Sequence, residues 1–133
     1  MERLVIKGKQ RLKGATRVNG AKNAAVAVIP ASLLTSSQVK IENIPHITDI
    51  EWLIEILKAL GAKVSRLGKG GLLVDSSGVN SFTPPHELAD KFRASYYLMG
   101  ALLGRCGQVE IPMPGGCNLG PRPIDQHIKG FTA

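Results

Sequence analysis

Residues 24–41, AAVAVIPASLLTSSQVKI, decide the fold when they are set beside residues 94–111, ASYYLMGALLGRCGQVEI. Each stretch opens with an apolar run typical of a buried helix and closes with Gln-Val-x-Ile, which is typical of a strand. The two stretches match at a constant offset of 70 positions, in the pairs Ala24 and Ala94, Ala31 and Ala101, Leu33 and Leu103, Gln38 and Gln108, Val39 and Val109, and Ile41 and Ile111. A constant offset over a helix and a strand predicts two copies of one structural unit.

The first copy predicts a unit of order βαβαββ that spans about 70 residues. Strands are predicted at 3–7, 12–18, 38–42, 62–66, 72–75 and 108–111, and helices at 23–34, 48–60, 93–104 and from 124 onward. This alternation predicts an α/β fold, or α+β in some schemes. The second copy lacks its two closing strands, so we expect the chain to be cut within its second repeat and to be a fragment of a longer protein.

The ends of these helices are predicted from residues that favour caps and stops. Asn23 is predicted as the N-cap of the first helix, and Thr48-Asp49 as that of the second. Pro30 is expected to kink the first helix or to reset its first turns. Helical spacing predicts a buried face on the second helix, ended by Gly61 at C′ and made of Ile50, Leu53, Ile54, Leu57 and Leu60.

Composition excludes several classes of protein. The chain has 133 residues and 44% apolar content, which suits one folded domain or less. It has no run of the roughly 18 apolar residues that a membrane span needs, no long apolar stretch of a signal peptide, and too few cysteines for a disulfide scaffold. We therefore expect a cytosolic globular protein. Its net charge of +7 favours anionic partners, and its few aromatic residues favour small phosphorylated ligands over nucleic acid.

A loop rich in proline and glycine, at residues 112–123, carries the strongest candidate site. The two glycines before Cys117 let the backbone approach a ligand closely and leave the thiol uncrowded. Arg122 supplies a cation at the start of a helix, where free N–H groups also favour an anion. Asp125 lies in the first turn of that helix and can accept a hydrogen bond from a ligand. A surface loop with one incidental thiol is the alternative that composition leaves open.

Two further cations lie where apolar helices begin. Lys22 opposes the positive end of the first helix dipole, a placement that becomes favourable if an anion binds between them. Arg93 takes the repeat position of Asn23, at the start of the corresponding helix in the second copy. For Lys22 and Arg93 alike, a solvated side chain is the alternative interpretation. The histidines show no metal-ligand spacing, and we expect neither a metal nor a cofactor.

These motifs together resemble a known family. Segments 21–25 (AKNAA), 91–95 (KFRAS), 114–117 (PGGC) and 120–130 (GPRPIDQHIKG) resemble the UDP-N-acetylglucosamine 1-carboxyvinyltransferases, the bacterial enolpyruvyl transferases known as MurA. The resemblance implies a cytoplasmic enzyme that moves the enolpyruvyl group of phosphoenolpyruvate to the 3′-hydroxyl of UDP-N-acetylglucosamine and releases phosphate. That reaction is the first committed step of peptidoglycan synthesis. The resemblance also implies an inside-out barrel of two domains, each with three βαβαββ units, with the active site between them.

The resemblance further implies roles for individual residues. Lys22, Asn23 and Arg122 would bind phosphoenolpyruvate, and Cys117 would be the catalytic acid that protonates it and that fosfomycin alkylates. The UDP-sugar would contact Arg93, Arg122, Pro123, Ile124, Asp125 and Gln126. Residues 1–20 would be strands of the other, C-terminal domain, and residues 21–133 would be part of the first catalytic domain. Because the family's general base and further arginines lie outside this sequence, we expect the chain alone to be inactive and its exposed apolar surface to favour self-association.

Three other functions stay open on the sequence alone. The sister enzyme that acts on shikimate 3-phosphate shares the fold, although it lacks the PGGC loop around Cys117. An RNA-binding or RNA-processing protein with related repeats would suit the charge and the architecture. A non-catalytic remnant that binds partner chains would differ from the transferase only in lacking activity.

Overall fold

The computed structural model describes residues 3–91, 93–112 and 123–133. Five α-helices lie within these residues: α1 (Lys22–Ala31), α2 (Thr48–Ala59), α3 (His86–Ala89), α4 (Tyr97–Cys106) and α5 (Asp125–Thr132). Short 3₁₀ helices cover Ser32–Leu34 and Arg93–Tyr96. The strands in the same residues are β1 (Gln38–Ile41), β2 (Lys63–Leu67) and β3 (Gly71–Asp75). This mixture of helix and sheet confirms the predicted α/β class.

The three strands form one antiparallel sheet in the order β1-β3-β2. In the central strand β3, Asp75 is opposite Gln38 of β1 and Lys63 of β2. The predicted hairpin between β2 and β3 is confirmed, and its turn contains Gly68 and Gly70 with φ values of 51° and 91°. Such backbone angles favour glycine because it has no Cβ to clash with the following carbonyl.

The core lies between the sheet and the helices, and α2 contributes a large share of it. The predicted apolar face of α2 is confirmed, since Ile50, Leu53, Ile54, Leu57 and Leu60 are all buried. Full burial of one such side chain contributes about 1.5–3 kcal/mol. Gly61 follows with a φ of 104°, which confirms the predicted stop at C′.

A connection at Ser76–Asn80 joins the C-terminal ends of three helices. The Ser76 hydroxyl donates to the Ser32 carbonyl just after α1, and the Asn80 N–H donates to the Leu60 carbonyl just after α2. Arg105, in the last turn of α4, donates to the Ser76 carbonyl. These hydrogen bonds place the ends of α1, α2 and α4 on the same side of the molecule.

The connection begins in an ordered turn after β3. The Asp75 carboxylate accepts hydrogen bonds from the hydroxyl and the N–H of Ser77, at 2.6 and 3.0 Å. The Ser77 hydroxyl above all, then its N–H and the Gln38 side chain, hold the pKa of Asp75 below its ordinary value. The turn therefore sets the direction in which the chain leaves the sheet.

The opposite ends of the helices also lie together. Lys22, the first residue of α1, forms an ion pair with Asp49 in the first turn of α2. Helix α5 follows α4 in the same direction, because the His127 ring contacts Tyr96 and Phe131 lies one turn further on, beside Gly100. The N-terminal ends of α1, α2, α4 and α5 therefore point toward one side of the molecule.

Two groups of predicted strands are wrong in this structure. Residues 3–20 form neither helix nor strand, although Lys9 in the predicted turn has a φ of 65°. Residues 108–111 are not a strand either, and their backbone contact is a hydrogen bond from the Glu110 N–H to the Phe82 carbonyl. A strand needs a hydrogen-bonded neighbour. β3 provides one for β1, whereas no described residue pairs as a strand with these two segments.

The predicted N-caps are also wrong. Asn23 is the second residue of α1, and the residue at the cap is Ala21. Thr48 and Asp49 are the first two residues of α2, after Ile47 at the cap, and neither Ala21 nor Ile47 makes a side-chain capping bond. Pro30 lies inside α1 near its end, and a 3₁₀ turn follows. The first turns of α1 and α2 therefore interact through the ion pair between Lys22 and Asp49, and neither has a side-chain cap.

Gly61→Ala tests the crowding at the C-terminal ends of the helices. A Cβ at residue 61 would lie 2.4 Å from the Gly78 carbonyl oxygen, whereas at Gly68 nothing lies within 4 Å. We expect Gly61→Ala to lower the free energy of unfolding by more than about 2 kcal/mol, and Gly68→Ala by about 1 kcal/mol. Urea unfolding followed by circular dichroism measures both, and equal losses would contradict the crowding.

Candidate functional site

The described site residues lie where the N-terminal ends of the helices gather. Lys22 and Asn23 are the first two residues of α1, and both are exposed. Arg93 begins the 3₁₀ turn that leads into α4, and Asp125 begins α5. The N-terminal turn of a helix presents unpaired N–H groups and about half a positive charge. This side of the molecule is therefore suited to anions.

Lys22 has a carboxylate partner that the sequence did not predict. Its Nζ lies 2.5 Å from Oδ2 of Asp49, and the side chains are 53% and 22% exposed. The sequence indicated that a lysine at this position becomes favourable beside an anion, and in this structure Asp49 is that anion. Asp49 is also favourably placed for its own helix, because a carboxylate in the first turn complements the helix dipole.

Gly20 fixes where the chain enters this side of the molecule. A Cβ on Gly20 would lie 1.7 Å from the carbonyl oxygen of Asn43, a residue with a φ of 58° in the corner after β1. Only glycine permits such a close approach of two backbone segments. Lys22 follows two residues later, so this contact also limits where α1 and its lysine begin.

Arg93 shares its 3₁₀ turn with Tyr96, which forms an aromatic cluster with Tyr97 and His127. The rings of Tyr96 and Tyr97 stack with centroids 4.5 Å apart, and His127 meets Tyr96 edge-on at 5.2 Å. The hydrogen bond with Tyr97 and partial burial raise the pKa of Tyr96, while the positive charge of Arg93 acts in the opposite direction. This cluster joins the turn that carries Arg93 to the first turn of α5.

The first turn of α5 presents only some of its predicted site residues to solvent. Pro123, Asp125 and Gln126 are exposed, and Gln126 donates to the Asp125 carboxylate at 3.3 Å. Ile124 is buried at 5% exposure. A ligand at this turn would thus meet Asp125 and Gln126 directly. Cys117 and Arg122 lie outside the described residues, and their predicted roles stay predictions.

The structure thus brings the predicted residues together in two pairs. Lys22 and Asn23 share the start of α1, and Arg93 is linked through Tyr96 and His127 to the turn that holds Asp125. The sequence placed His127 at this helix start but missed Asp49 and Tyr96 as parts of the region. The Thr48-Asp49 helix start was a usable signal for Asp49, whereas no local pattern indicated the contact between Tyr96 and His127.

The described ranges contain neither a membrane-spanning helix nor a cluster of metal ligands. No helix in residues 3–91, 93–112 or 123–133 has the length and apolar content to cross a membrane. Within the same ranges, His, Cys, Asp and Glu form no group of three or more that could hold a metal ion.

Comparison with known proteins gives one family. The model described as EPSP synthase (3-phosphoshikimate 1-carboxyvinyltransferase) matches residues 6–133. The chain is 58% identical to UDP-N-acetylglucosamine 1-carboxyvinyltransferase 3 of Caldanaerobacter subterraneus subsp. tengcongensis, and 53% identical to UDP-N-acetylglucosamine 1-carboxyvinyltransferase 2 of Bacillus subtilis. Both alignments cover 100% of this chain but 32% and 31% of the relatives, so the chain spans about a third of their length.

A solved structure shares the fold. The enolpyruvyl transferase NikO from Streptomyces tendae superposes with a TM-score of 0.66 and 36% sequence identity. The superposition covers 75% of this chain and 23% of that chain. The described helices and sheet are therefore part of an enolpyruvyl transferase fold.

Titration of Tyr96 tests the cluster beside Arg93. Tyr97→Phe keeps the stacked ring but removes the hydroxyl, so we expect the pKa of Tyr96 to fall toward its ordinary value. The chain has two tyrosines, so an absorbance titration of the variant reports Tyr96 alone. A pKa of Tyr96 that is unchanged by the substitution would show that the Tyr97 hydroxyl is not the main cause.

Proposed function

Because this chain belongs to the EPSP synthase (3-phosphoshikimate 1-carboxyvinyltransferase) family, we propose that it is the N-terminal part of an enolpyruvyl transferase. The proposed donor is phosphoenolpyruvate and the proposed acceptor is the 3′-hydroxyl of UDP-N-acetylglucosamine. The observation that carries this choice is 58% and 53% identity, over the whole chain, to two UDP-N-acetylglucosamine 1-carboxyvinyltransferases. The proposed place of action is the cytoplasm of a bacterium, at the first committed step of peptidoglycan synthesis.

Phosphoenolpyruvate is proposed to bind Lys22, Asn23 and Arg122. The exposure of Lys22 and Asn23 at the start of α1 supports this role, since both can reach a ligand there. The helix start adds its positive end to the charge of Lys22. Together they suit a small molecule that carries both a phosphate and a carboxylate.

The UDP-sugar is proposed to lie along the turn of Arg93 and the first turn of α5. Asp125 and Gln126 offer an acceptor and an amide for hydroxyl or base groups, and both are exposed. Arg93 and Arg122 would supply charge for the diphosphate, and Pro123 and Ile124 would shape the turn. The ring contact between Tyr96 and His127 supports this grouping, because it holds the two turns together.

The proposed chemistry is an addition followed by an elimination. The sugar 3′-oxygen adds to C2 of phosphoenolpyruvate, its proton passes to a base, and Cys117 donates a proton to C3. A base then removes a proton from C3, the double bond forms again, and phosphate leaves C2. Lys22 and Arg122 would stabilise the negative charge of the phosphate during these steps.

Residues 1–20 are proposed to belong to the second domain and residues 21–133 to the first catalytic domain. Leu4, Ile6 and Leu12 are between 80% and 92% exposed, as expected of a segment that would become strands only against a sheet outside this chain. The proposed cleft then has only one wall in this chain, and the general base belongs to the other. For this reason the chain alone is proposed to be inactive.

The activity test uses two proteins. One is the 133-residue chain, and the other is a chimera in which it replaces the corresponding third of the Bacillus subtilis relative, to which it is 53% identical. Phosphate release from phosphoenolpyruvate with UDP-N-acetylglucosamine is expected only from the chimera, because only the chimera has both walls of the cleft. Cys117→Ala in the chimera is expected to remove this activity, because C3 loses its proton donor.

Two outcomes would contradict the proposal. Phosphate release from the chimera with shikimate 3-phosphate but not with the UDP-sugar would assign the chain to the sister enzyme. Turnover by the 133-residue chain alone would show that the second wall is dispensable.

Self-association of the chain is proposed to arise from residues 3–20. Leu4 and Ile6 take the face opposite the basic residues in predicted strand 3–7, and Leu12 lies between Arg11 and Lys13 at the start of predicted strand 12–18. Each strand would therefore present apolar side chains on one face and basic ones on the other. Serine at all three positions is expected to shift a self-associating chain toward the monomer in sedimentation velocity. Serine at Gln10 and Thr16 is the control, and an equal shift in both proteins would contradict the proposal.

A further inference from the structure

We propose that Asp49 is a positioning residue for the phosphate-binding lysine. This inference rests on the proposed function and names a further residue of the same site. It starts from the ion pair between Lys22 Nζ and Asp49 Oδ2, at 2.5 Å, which links the first turns of α1 and α2. Asp49 would act through Lys22 and would not itself touch the reacting atoms.

A lysine at the first position of a helix is not held there by its own helix. The dipole of α1 repels the ammonium, and the four-carbon side chain loses rotamer entropy when it is fixed. Asp49 supplies the opposing attraction from a neighbouring helix, where its own charge complements the dipole of α2. Each partner therefore stabilises the other across the two helix ends.

The pair leaves Lys22 able to bind a ligand. An ammonium has three N–H donors, and a bond to one carboxylate oxygen leaves two of them for other acceptors. The Lys22 side chain is 53% exposed while that of Asp49 is 22% exposed, so a ligand can approach the lysine more readily than the carboxylate. The geometry suits a cation that is oriented before the anionic ligand arrives.

The pair contributes little to folding. Solvent screens the charges of an ion pair whose lysine side chain is 53% exposed, so its contribution to stability is small. Misplacement of a group by about 1 Å can cost up to about 100-fold in rate, so the same pair can matter far more for catalysis. Loss of activity without loss of stability therefore distinguishes a positioning role from a structural one.

The test uses the chimera with Asp49→Asn, Asp49→Glu and Glu55→Gln. Glu55→Gln is the matched control, because it removes an exposed ion pair with Lys58 from the same helix. We expect Asp49→Asn to lower kcat/KM for phosphoenolpyruvate about tenfold, with the KM for UDP-N-acetylglucosamine within about twofold and the melting temperature unchanged. Asp49→Glu keeps the charge and is expected to recover part of the loss, while Glu55→Gln is expected to have no effect.

Each result separates the two proposals. Two results would overturn the positioning role while leaving the transferase proposal intact. In the first, the kinetic constants of Asp49→Asn equal those of Glu55→Gln. In the second, Asp49→Asn lowers kcat/KM equally for phosphoenolpyruvate and for UDP-N-acetylglucosamine. An inactive parent chimera would instead overturn the proposed function. If Asp49→Asn lowers the melting temperature, lysine ammonium NMR of the 133-residue chain with inorganic phosphate decides. Below the melting temperature of both proteins, a Lys22 signal that phosphate shifts equally in the parent chain and in Asp49→Asn would overturn the role, and a smaller shift in Asp49→Asn would support it.

Discussion

Hydrogen bonds from the connection at Ser76–Asn80 reach the C-terminal ends of three helices, and the arrangement of the site depends on them. Ser76 bonds to the end of α1 and accepts from Arg105 of α4, while Asn80 bonds to the residue after α2. These helices pack along their length, and their C-terminal ends are held on one side of the molecule. Their N-terminal ends therefore lie together on the opposite side. The gathering of helix starts is therefore a consequence of contacts at the opposite end of the molecule.

The sequence predicted those elements whose signals are local. The helical spacing of α2, its stop at Gly61 and the glycine-rich turn before β3 all depend on neighbouring residues, and all are confirmed. The strands at 3–7, 12–18 and 108–111 were wrong because a strand depends on a distant neighbour. Within the described residues, β3 fills that role for β1 but no strand fills it for those segments.

In the candidate site, too, the features that depend on neighbouring residues could be predicted, and those that depend on packing could not. The positions of Lys22, Arg93 and Asp125 at helix starts could be predicted from local signals. For Lys22 and Arg93 the signal is the onset of an apolar pattern, and for Asp125 it is Pro123, two residues before it. The pairing of Lys22 with Asp49 could not, because it depends on how α1 and α2 pack. The sequence indicated that an anion would make the position of Lys22 favourable, and only the packing of α1 and α2 showed that Asp49 lies beside the lysine.

The alignment of the helices also explains why the site favours an anion before any ligand binds. Each helix start contributes about half a positive charge, and Lys22 and Arg93 add full charges to the ends of α1 and α4. Concentrated positive charge is unfavourable for folding, and Asp49 and Asp125 in first turns reduce that cost. A site assembled in this way gains more from a phosphate than from a neutral ligand. The carboxylates at the starts of α2 and α5 thus offset the positive charge that results when α1, α2, α4 and α5 point the same way.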